Sequence, residues 1–405
     1  MQRQRQRPTP GGDDLDDDTV AGPAPELAFC HGGRPGYELS ESDAPPGPLT
    51  FTDTNSVPAG VSVDYDHSTG LPDLLDRLGL SLLLSTYQAG QVVSLGSSGG
   101  SLRLGFSRFD QPMGLARTAD GVAVACRQSI WSLPANREIA PRLAPEGEHD
   151  IALLARTCHH SGPLLGHDLA WDGARLWLVN TLFNGLVTIE APWSFVPRWI
   201  PPFISGWVPE DRCHLNGVAL AEDGSGPLWA TALAESDRDQ GWRDDRLGGG
   251  CLLQVPSGEV VLRGLAMPHS PRLYRGVLHL LDSGRGQLLR LDPASGRPTV
   301  IAQLPGFTRG LDCFAGHAFV GLSRIRESAV FGGLPLQQGD QALQCGLAVV
   351  DLASGATVAH LWFRSGVEEI FAVLALPGYR HPVLVGPDND ADASQTVWMV
   401  PPPPA

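Results

Sequence analysis

The sequence predicts an all-β protein whose strands form a six-bladed β-propeller, and three observations support this fold class. From Leu80 onward, short apolar runs of roughly four to seven residues alternate with Gly, Asp, Asn and Pro, as expected for strands joined by turns. The long periodicity of amphipathic helices is absent from this region. A unit of about four strands recurs at a spacing of roughly fifty residues, which is typical of propeller blades.

Each internal repeat begins with a strand that should lie innermost in its blade. Six such strands align on a mostly small residue, namely Gly114, Ala170, Gly217, Arg272, Gly310 and Ala372. The last unit contains only inner strands, whereas the amino-terminal unit has outer strands without an inner one. We therefore expect strands from both ends of the chain to complete one blade and leave no free sheet edge. If the two terminal units form separate blades, the propeller has seven.

The first seventy residues differ in composition from the rest of the chain. Residues 1–70 combine Arg-Gln alternation, an acidic cluster between Asp13 and Asp18, and many Pro and Gly. Such a segment cannot bury enough apolar surface to offset the entropy lost on ordering. We expect a disordered arm over residues 1–70, with an interaction tail as the alternative, and a single propeller domain over residues 71–401. A short helix is predicted at Leu71–Leu78.

Charge and composition exclude several classes of protein. The 405 residues include 44 acidic against 29 basic side chains, which gives a net charge of −15. This balance argues against binding to nucleic acid or to an anionic membrane surface. The chain has no apolar run of about 18 residues, so no transmembrane helix is predicted, and its start lacks the apolar core of a secretory signal. The seven cysteines are dispersed, so we expect a reducing cytoplasmic location.

The inner strands also carry the candidate chemistry. The position three residues before each aligned residue is occupied by Gln111, His167, His214, His269, Phe307 and Glu369. Because inner strands line the axial channel, these side chains should meet at a similar depth, with Glu369 opposite His214. Three neutral imidazoles with a carboxylate nearby suit zinc, iron or copper. We predict a metal site at the three histidines; the alternative is that they only connect neighbouring blades by hydrogen bonds.

Two catalytic roles beside the histidines are predicted. Glu369 is a candidate base, and Arg309 is a candidate clamp for a carboxylate or phosphate group of the substrate. An ion pair between blades is the alternative role of Arg309. His160 and its neighbour His159 are expected in a loop at the channel mouth, where they would add an acid–base group or a ligand.

A second set of residues is expected to orient the metal-binding imidazoles by hydrogen bonds or to line the same channel. Asp168 and Asn216 lie next to histidines in the sequence and would accept the other N–H of an imidazole. Gln111 would line the same channel from the first blade. Cys213 precedes His214, and strand alternation points it to the opposite face, so we expect it in the core.

Several unusual strings resemble an uncharacterised family of bacterial proteins, conserved but hypothetical, which is sometimes joined to tetratricopeptide repeats. The strings that carry this resemblance recur in order: STYQAGQ (85–91), RTCHHSG (156–162), GHDLAWD (166–172), PEDRCHLNG (209–217), MPHSPR (267–272) and LPGFTRGL (304–311). The resemblance covers about residues 80–380. It implies a propeller-like fold and supplies no reaction.

More distantly, the repeat pattern is similar to the NHL-repeat, gluconolactonase/SMP-30 and strictosidine-synthase-like propellers. This resemblance implies that a metal on the axis is possible for such a fold, but a fold does not define a function. The Glu–Asn–Asp metal set of the gluconolactonase type is missing from this sequence, which argues against lactone hydrolysis.

Taken together, these features predict a metal-dependent lyase, hydrolase or oxidoreductase. It would act on a small molecule or a modified peptide, with one zinc, iron or copper ion as cofactor. The competing function is a non-catalytic propeller that presents one face to a protein partner. In that case the histidines would only join the blades.

Overall fold

The computed structural model describes residues 63–292, 296–324, 333–338, 342–388 and 397–400. Most of the predicted arm, residues 1–62, lies outside this range, so the expected disorder and the domain limits stay predictions. Among the described residues, the longest helix has eight residues, and none is long and apolar enough to cross a membrane.

The described residues are built mainly from strands. In chain order these are β1 (Tyr65–His67), β2 (Leu80–Thr86), β3 (Gln91–Ser98), β4 (Ser101–Arg108), β5 (Leu115–Arg117), β6 (Gly121–Ala125), β7 (Ser129–Asn136), β8 (Ile151–Leu154), β9 (Thr157–His160), β10 (Gly166–Trp171), β11 (Leu176–Asn180), β12 (Gly185–Thr188), β13 (Val196–Trp199), β14 (Leu215–Leu220), β15 (Pro227–Ala232), β16 (Gly250–Gln254), β17 (Val260–Leu265), β18 (Pro268–Tyr274), β19 (Val277–Asp282), β20 (Gln287–Leu291), β21 (Pro298–Gln303), β22 (Phe307–Phe314), β23 (His317–Ser323), β24 (Gly346–Asp351), β25 (Thr357–Phe363), β26 (Ala372–Pro377) and β27 (Pro382–Val385). One α-helix, α1, spans Leu71–Leu78, and short 3-10 helices cover Ala140–Arg142, Gly241–Asp245, Ser283–Arg285 and Pro335–Gln338.

These strands form the six blades of a β-propeller, as predicted. Blades 2, 3 and 4 are the four-stranded sheets β10–β13, β14–β17 and β18–β21, each in simple chain order. Blade 5 contains β22–β25, and β1 pairs with its outer strand β25. Blade 1 contains β5, β6 and β7, and β8, β9 and β27 lie on its outer side. The inner strands of blades 1–5 are therefore β5, β10, β14, β18 and β22.

Blade 6 closes the ring with strands from both ends of the described chain. Its inner strand is β26, and β2, β3 and β4 complete it. Strands β26 and β2 pair antiparallel over six residue pairs, from Leu80 opposite Pro377 to Ser85 opposite Ala372. This arrangement confirms both the predicted closure and the count of six blades.

Most strands are buried on both faces because each blade packs between two others. All seven residues of β2 are buried, and its sequence shows little alternation between apolar and polar residues, as expected for a strand covered on both faces. One apolar cluster joins blades 5 and 6 and includes Leu82, Phe319 and Phe363. Helix α1 adds Leu71 and Leu75 to the same cluster, so the predicted helix contributes to the core.

The inner strands of blades 2–5 are irregular near their starts. The pairing of each inner strand with the next strand shifts register between Gly166 and Leu169, Leu215 and Gly217, His269 and Arg272, and Thr308 and Leu311. A β-bulge bends a strand and changes the direction of its side chains. The same irregularity in four consecutive blades therefore changes side-chain directions around one end of the axis.

We predict that Ser85→Ala weakens the ring closure. The Ser85 hydroxyl donates to the Met113 carbonyl at 2.6 Å and accepts the Ala372 N–H at 3.0 Å, so it joins the two strands of blade 6 to the start of blade 1. Loss of this buried hydroxyl leaves two backbone groups unsatisfied and should lower the free energy of unfolding by about 1–3 kcal/mol. Urea denaturation measures the change, with Ser101→Ala on the exposed start of β4 as the control. Equal stability of the two variants would contradict this role for Ser85.

Candidate functional site

The predicted histidines meet at the end of the axis where the inner strands begin. His167 lies in the bulge of β10, His214 directly precedes β14, and His269 lies in β18. The rings of His167 and His214 are 4.7 Å apart between centroids and nearly perpendicular. His269 packs edge-on against Phe307 at 5.7 Å, and its charge state affects the pKa of His167. His167 and His214 are therefore in direct contact, and His269 lies close enough to interact with them electrostatically.

His167 and His269 are held by the same local device in blades 2 and 4. The Nδ1 atom of His167 lies 2.9 Å from the Leu165 carbonyl and 2.9 Å from the Thr181 hydroxyl. The Nδ1 atom of His269 lies 2.8 Å from the Met267 carbonyl and 2.9 Å from the Ser283 hydroxyl. A carbonyl only accepts hydrogen bonds, so Nδ1 carries the proton in both rings. In a neutral ring, Nε2 is then left as the atom with a lone pair.

His214 is held by a carboxylate instead of a carbonyl. Its Nδ1 atom lies 2.9 and 3.0 Å from the two carboxylate oxygens of Asp211. The indole N–H of Trp242 donates to the same carboxylate at 3.0 Å, and the Trp242 ring packs against His214 at 4.5 Å. Both Asp211 and Trp242 are buried. This arrangement again fixes the proton on Nδ1 and orients the ring.

Burial keeps two of the three imidazoles neutral. Burial, followed by the neighbouring His214 and the positive charge of Arg309, lowers the pKa of His167 well below the ordinary histidine value. Burial, then Arg309 and His214, lowers the pKa of His269 in the same way. Neutral imidazole is the form that binds metal ions. At neutral pH, these two rings therefore present unprotonated Nε2 atoms.

A buried ion pair lies beside the histidines. The Nη1 atom of Arg309 in blade 5 lies 3.0 Å from Oε1 of Glu369, which precedes the inner strand of blade 6. The guanidinium lies 3.4 Å from the ring centroid of Phe371, and Phe371 in turn contacts His167 at 5.3 Å. Burial lowers the pKa of Arg309 to about 10, although Glu369 opposes this shift. The ion pair between blades, given above as the alternative role of Arg309, is thus present.

Tyr87 belongs to the same environment. Burial, and then the negative charge of Glu369, raises the pKa of its phenol above the ordinary value. Its ring packs against Phe371 at 5.8 Å. Glu369 leads into blade 6 and His214 into blade 3, so the two lie on opposite sides of the six-bladed ring as expected. The site thus combines acceptor nitrogens on one side with a charged pair and a phenol on the other.

The expected supporting roles of Asp168 and Asn216 are not the ones observed. Asp168 forms a two-pronged ion pair with Arg272 of blade 4, at 2.8 and 2.9 Å, and also accepts the Val218 N–H. Asn216 donates to the Pro268 carbonyl and accepts from Thr231. Both residues therefore connect blades. The bulges explain the difference, because they point the residues after the histidines away from the imidazoles.

The structure also corrects the expected position of two other histidines. His159 and His160 lie in β9, which pairs with the third strand of blade 1, and not in a loop at the channel mouth. His160 is exposed, and Nε2 of His159 contacts the Ser194 carbonyl at 3.1 Å. This position on the outer side of the blade separates both residues from the axial histidines.

The remaining predicted residues have mixed outcomes. Gln111 stands before the inner strand of blade 1, partly buried, with a positive φ of 50°. Cys213 is fully buried in the core as expected, and burial raises the pKa of its thiol.

Within the part of the chain that the structure describes, no three His, Cys, Asp or Glu side chains are already gathered closely enough to hold an ion. A shared metal would therefore require the histidine rings to rotate.

Backbone strain is concentrated around this site. Of the ten non-glycine residues with positive φ in the described chain, six lie at the starts of inner strands: Gln111, Leu165, Asp211, His214, Met267 and Ser270. Such conformations cost about 1–3 kcal/mol each and cluster at functional sites. Leu165 and Met267 supply the carbonyls that hold two of the histidines. The strained backbone thus directly positions the imidazoles.

Four residues of the site were not identified from the sequence: Asp211, Trp242, Tyr87 and Phe371. Asp211 stands three residues before His214, within a string that was already recognised as unusual, so its spacing was an available signal. Thr181 and Ser283 were also missed. They follow the second strands of blades 2 and 4 at equivalent positions, which an alignment of those strands would reveal. Trp242 comes from a loop between β15 and β16 that has no counterpart in the repeat.

One of three comparisons with known proteins identifies a family, and none of them gives an activity. A family model described as "Domain of unknown function (DUF4915)" matches residues 69–385. No curated protein matches the sequence significantly. Among solved structures, a chain of a nidogen/laminin complex is similar with 10% identity and a TM-score of 0.44, over 74% of this chain and 98% of that one. A protein of unknown function from Bacteroides caccae is similar with 11% identity and a TM-score of 0.45, over 73% and 98% of the two chains.

The lowered pKa of His269 predicts a pH dependence of stability. The unfolded state takes up a proton near the ordinary pKa of 6.5, whereas the folded state resists it. This contribution is therefore fully present above about pH 6.5 and is lost as the pH falls, by up to about 1.4 kcal/mol per pH unit. We expect His269→Asn, which keeps a donor near the Nδ1 position, to lose less stability between pH 7 and pH 5 than wild type. The measurement is urea denaturation at both pH values.

His317→Asn is the matched control, because His317 lies in β23 with its ring partly exposed. The control variant should keep the pH dependence of the wild type. If His269→Asn also keeps it, His269 is not a buried neutral group.

Proposed function

We propose that this chain, which belongs to the family described as domain of unknown function DUF4915, binds one transition-metal ion with His167, His214 and His269. The observation that carries this proposal is the hydrogen bonding of the three Nδ1 atoms. Each is engaged by a carbonyl or a carboxylate, which leaves Nε2 as the acceptor. Metal-binding histidines nearly always have their other ring nitrogen held in this way. Histidine nitrogen ligands suit zinc, iron and copper.

The edge-on contact of His167 and His214 is compatible with this proposal. Their ring centroids are 4.7 Å apart, and rotation about the side-chain bonds brings two imidazoles at this distance within reach of one ion. The metal–nitrogen distance would then be about 2.0–2.1 Å for zinc. The rings would keep their hydrogen bonds to Nδ1 only if the rotation is small or if the carbonyl and carboxylate partners move with them.

We further propose that the chain is an enzyme that acts on a small molecule or a modified peptide at this site. A bound metal would supply Lewis-acid activation of a substrate oxygen or of water. Glu369 and Tyr87 lie on the opposite side and would accept or donate a proton. Arg309, whose guanidinium contacts the Phe371 ring, would orient a carboxylate or phosphate of the substrate. Lysis, hydrolysis and oxidation all remain open reaction classes.

A cytoplasmic location is part of the same proposal. The six cysteines in the described residues are all free thiols, which is the state expected in a reducing compartment. A reducing compartment also keeps iron(II) and copper(I) available as well as zinc.

The first test of the metal site is metal content. Protein purified without a histidine tag should contain about one zinc, iron or copper ion per chain by plasma mass spectrometry, and His214→Ala should contain less than a tenth of that. His317→Ala removes a histidine outside the site and should keep the wild-type content. If wild type stays free of metal after reconstitution with each ion, the metal site is wrong, and a scaffold that binds a protein partner becomes the better function.

A second test changes Asp211, whose carboxylate contacts Nδ1 of the proposed ligand His214. Asp211→Asn keeps a hydrogen-bond acceptor near Nδ1 of His214 but removes the negative charge, so metal affinity should fall by about 10–100-fold. Competition with a chromophoric chelator measures this affinity. Asp223→Asn, in an exposed turn, is the control and should bind as wild type does. Unchanged affinity in Asp211→Asn would mean that His214 is not a ligand.

A further inference from the structure

The opposite end of the axis contains a separate cavity. It has a volume of about 570 Å³ and lies where the inner strands end, whereas the histidines lie where they begin. All six blades contribute to its wall, for example through Ala116, Trp171, Leu220, Tyr274, Phe314 and Leu374. Small-molecule sites in proteins have volumes of about 300–1,000 Å³. The cavity therefore has the size of a ligand site and a wall to which all six blades contribute.

The floor of this cavity carries a net negative charge. Arg272 faces the cavity, but its guanidinium is already bound to Asp168 by two hydrogen bonds. Asp312 also lines the cavity and acts electrostatically on Arg272. Its two oxygens accept the backbone N–H groups of Cys313 and Ala375, each at 2.8 Å, which leaves further lone pairs. One guanidinium thus faces two carboxylates, so one negative charge is left over.

Aromatic side chains from three blades form part of the wall above this floor. Trp171 ends β10, Tyr274 ends β18 and Phe314 ends β22, and each is partly exposed. The guanidinium of Arg275, which lies outside the cavity wall, stacks over the Tyr274 ring at 5.2 Å from its centroid. Arg275 thus occupies one face of Tyr274, so a ligand would have to use the other rings or displace this guanidinium. Aromatic faces and a nearby carboxylate together are the standard recognition chemistry for ammonium groups.

We propose that this cavity binds a small organic cation, with its ammonium group between the aromatic wall and the carboxylate of Asp312. At the rim, Arg117 and the nearby Arg275 carry one positive charge more than Glu222, so the feature that would select a cation is the carboxylate of Asp312 itself. The net charge of −15 on the whole chain also favours the approach of a cation. The apolar part of such a ligand would contact Leu169, Val218 and Leu374. This inference does not depend on the metal site, because it uses different residues at the other end of the axis.

The test uses two probes of the same shape that differ in charge. Choline and its uncharged isostere 3,3-dimethylbutan-1-ol are titrated into the full chain, and binding is followed by isothermal titration calorimetry and saturation-transfer NMR. We expect choline to bind at least tenfold more tightly than the alcohol. Equal binding of both probes, or binding of neither at millimolar concentration, would overturn the proposal.

Two variants locate the binding. Trp171→Leu removes one aromatic face, and Asp312→Asn removes the negative charge; each should weaken choline binding about tenfold. Trp193→Leu is the control, because Trp193 is 59% exposed and does not line this cavity. If Asp312→Asn does not fold, Trp171→Leu still decides the result. Choline binding that is unchanged in Trp171→Leu places the ligand elsewhere and contradicts the proposed site.

Discussion

The pairing of β26 with β2 is the constraint on which the rest of the structure depends. It joins residues separated by nearly the whole described chain, through six antiparallel residue pairs and the hydroxyl of Ser85. Without it, blade 6 has no inner strand, and both blade 1 and blade 5 lose a neighbour. Glu369 and Phe371 stand directly before β26, so the same pairing brings them to the axis. Ring closure therefore also brings these two residues of the candidate site to the axis.

Connection of the blades and positioning of the histidines are carried out by different side chains. Ser85, Asp168, Asn216 and Ser323 bond from one blade to another. The histidines bond instead within their own blade or its entering loop, through Nδ1. Thr181 does both, because its hydroxyl donates to the Leu215 carbonyl of the next blade and contacts His167. The hydrogen bonds of the three Nδ1 atoms therefore stay within a blade, whereas the rings of His167 and His269 contact residues of other blades.

The repeat in the sequence predicts much of this structure, because a propeller places equivalent positions at equivalent depths. That rule was sufficient for the six blades, the closure and the contact between His167 and His214. It could not predict the partners of Asp168, because a bulge changes the direction of the residue and Arg272 lies two blades away. It also could not predict Trp242, which enters from an irregular loop. His160 was misplaced because an extra outer strand, β9, follows no repeat. Local patterns therefore predict where the backbone goes, whereas contacts between distant loops need the folded chain.

The two ends of the axis differ in a way that follows from the same four bulges. At the end where the inner strands begin, burial keeps His167 and His269 neutral and lowers the pKa of Arg309 to about 10, so the environment disfavours every isolated positive charge. At the other end, the guanidinium of Arg272 interacts with the carboxylates of Asp168 and Asp312. Asp168 directly follows His167, and both lie in one bulge of β10, with their side chains serving opposite ends. The register shift of β10 thus lies between the candidate histidine site and the ion pair of Asp168 with Arg272, so a change in that bulge would move both.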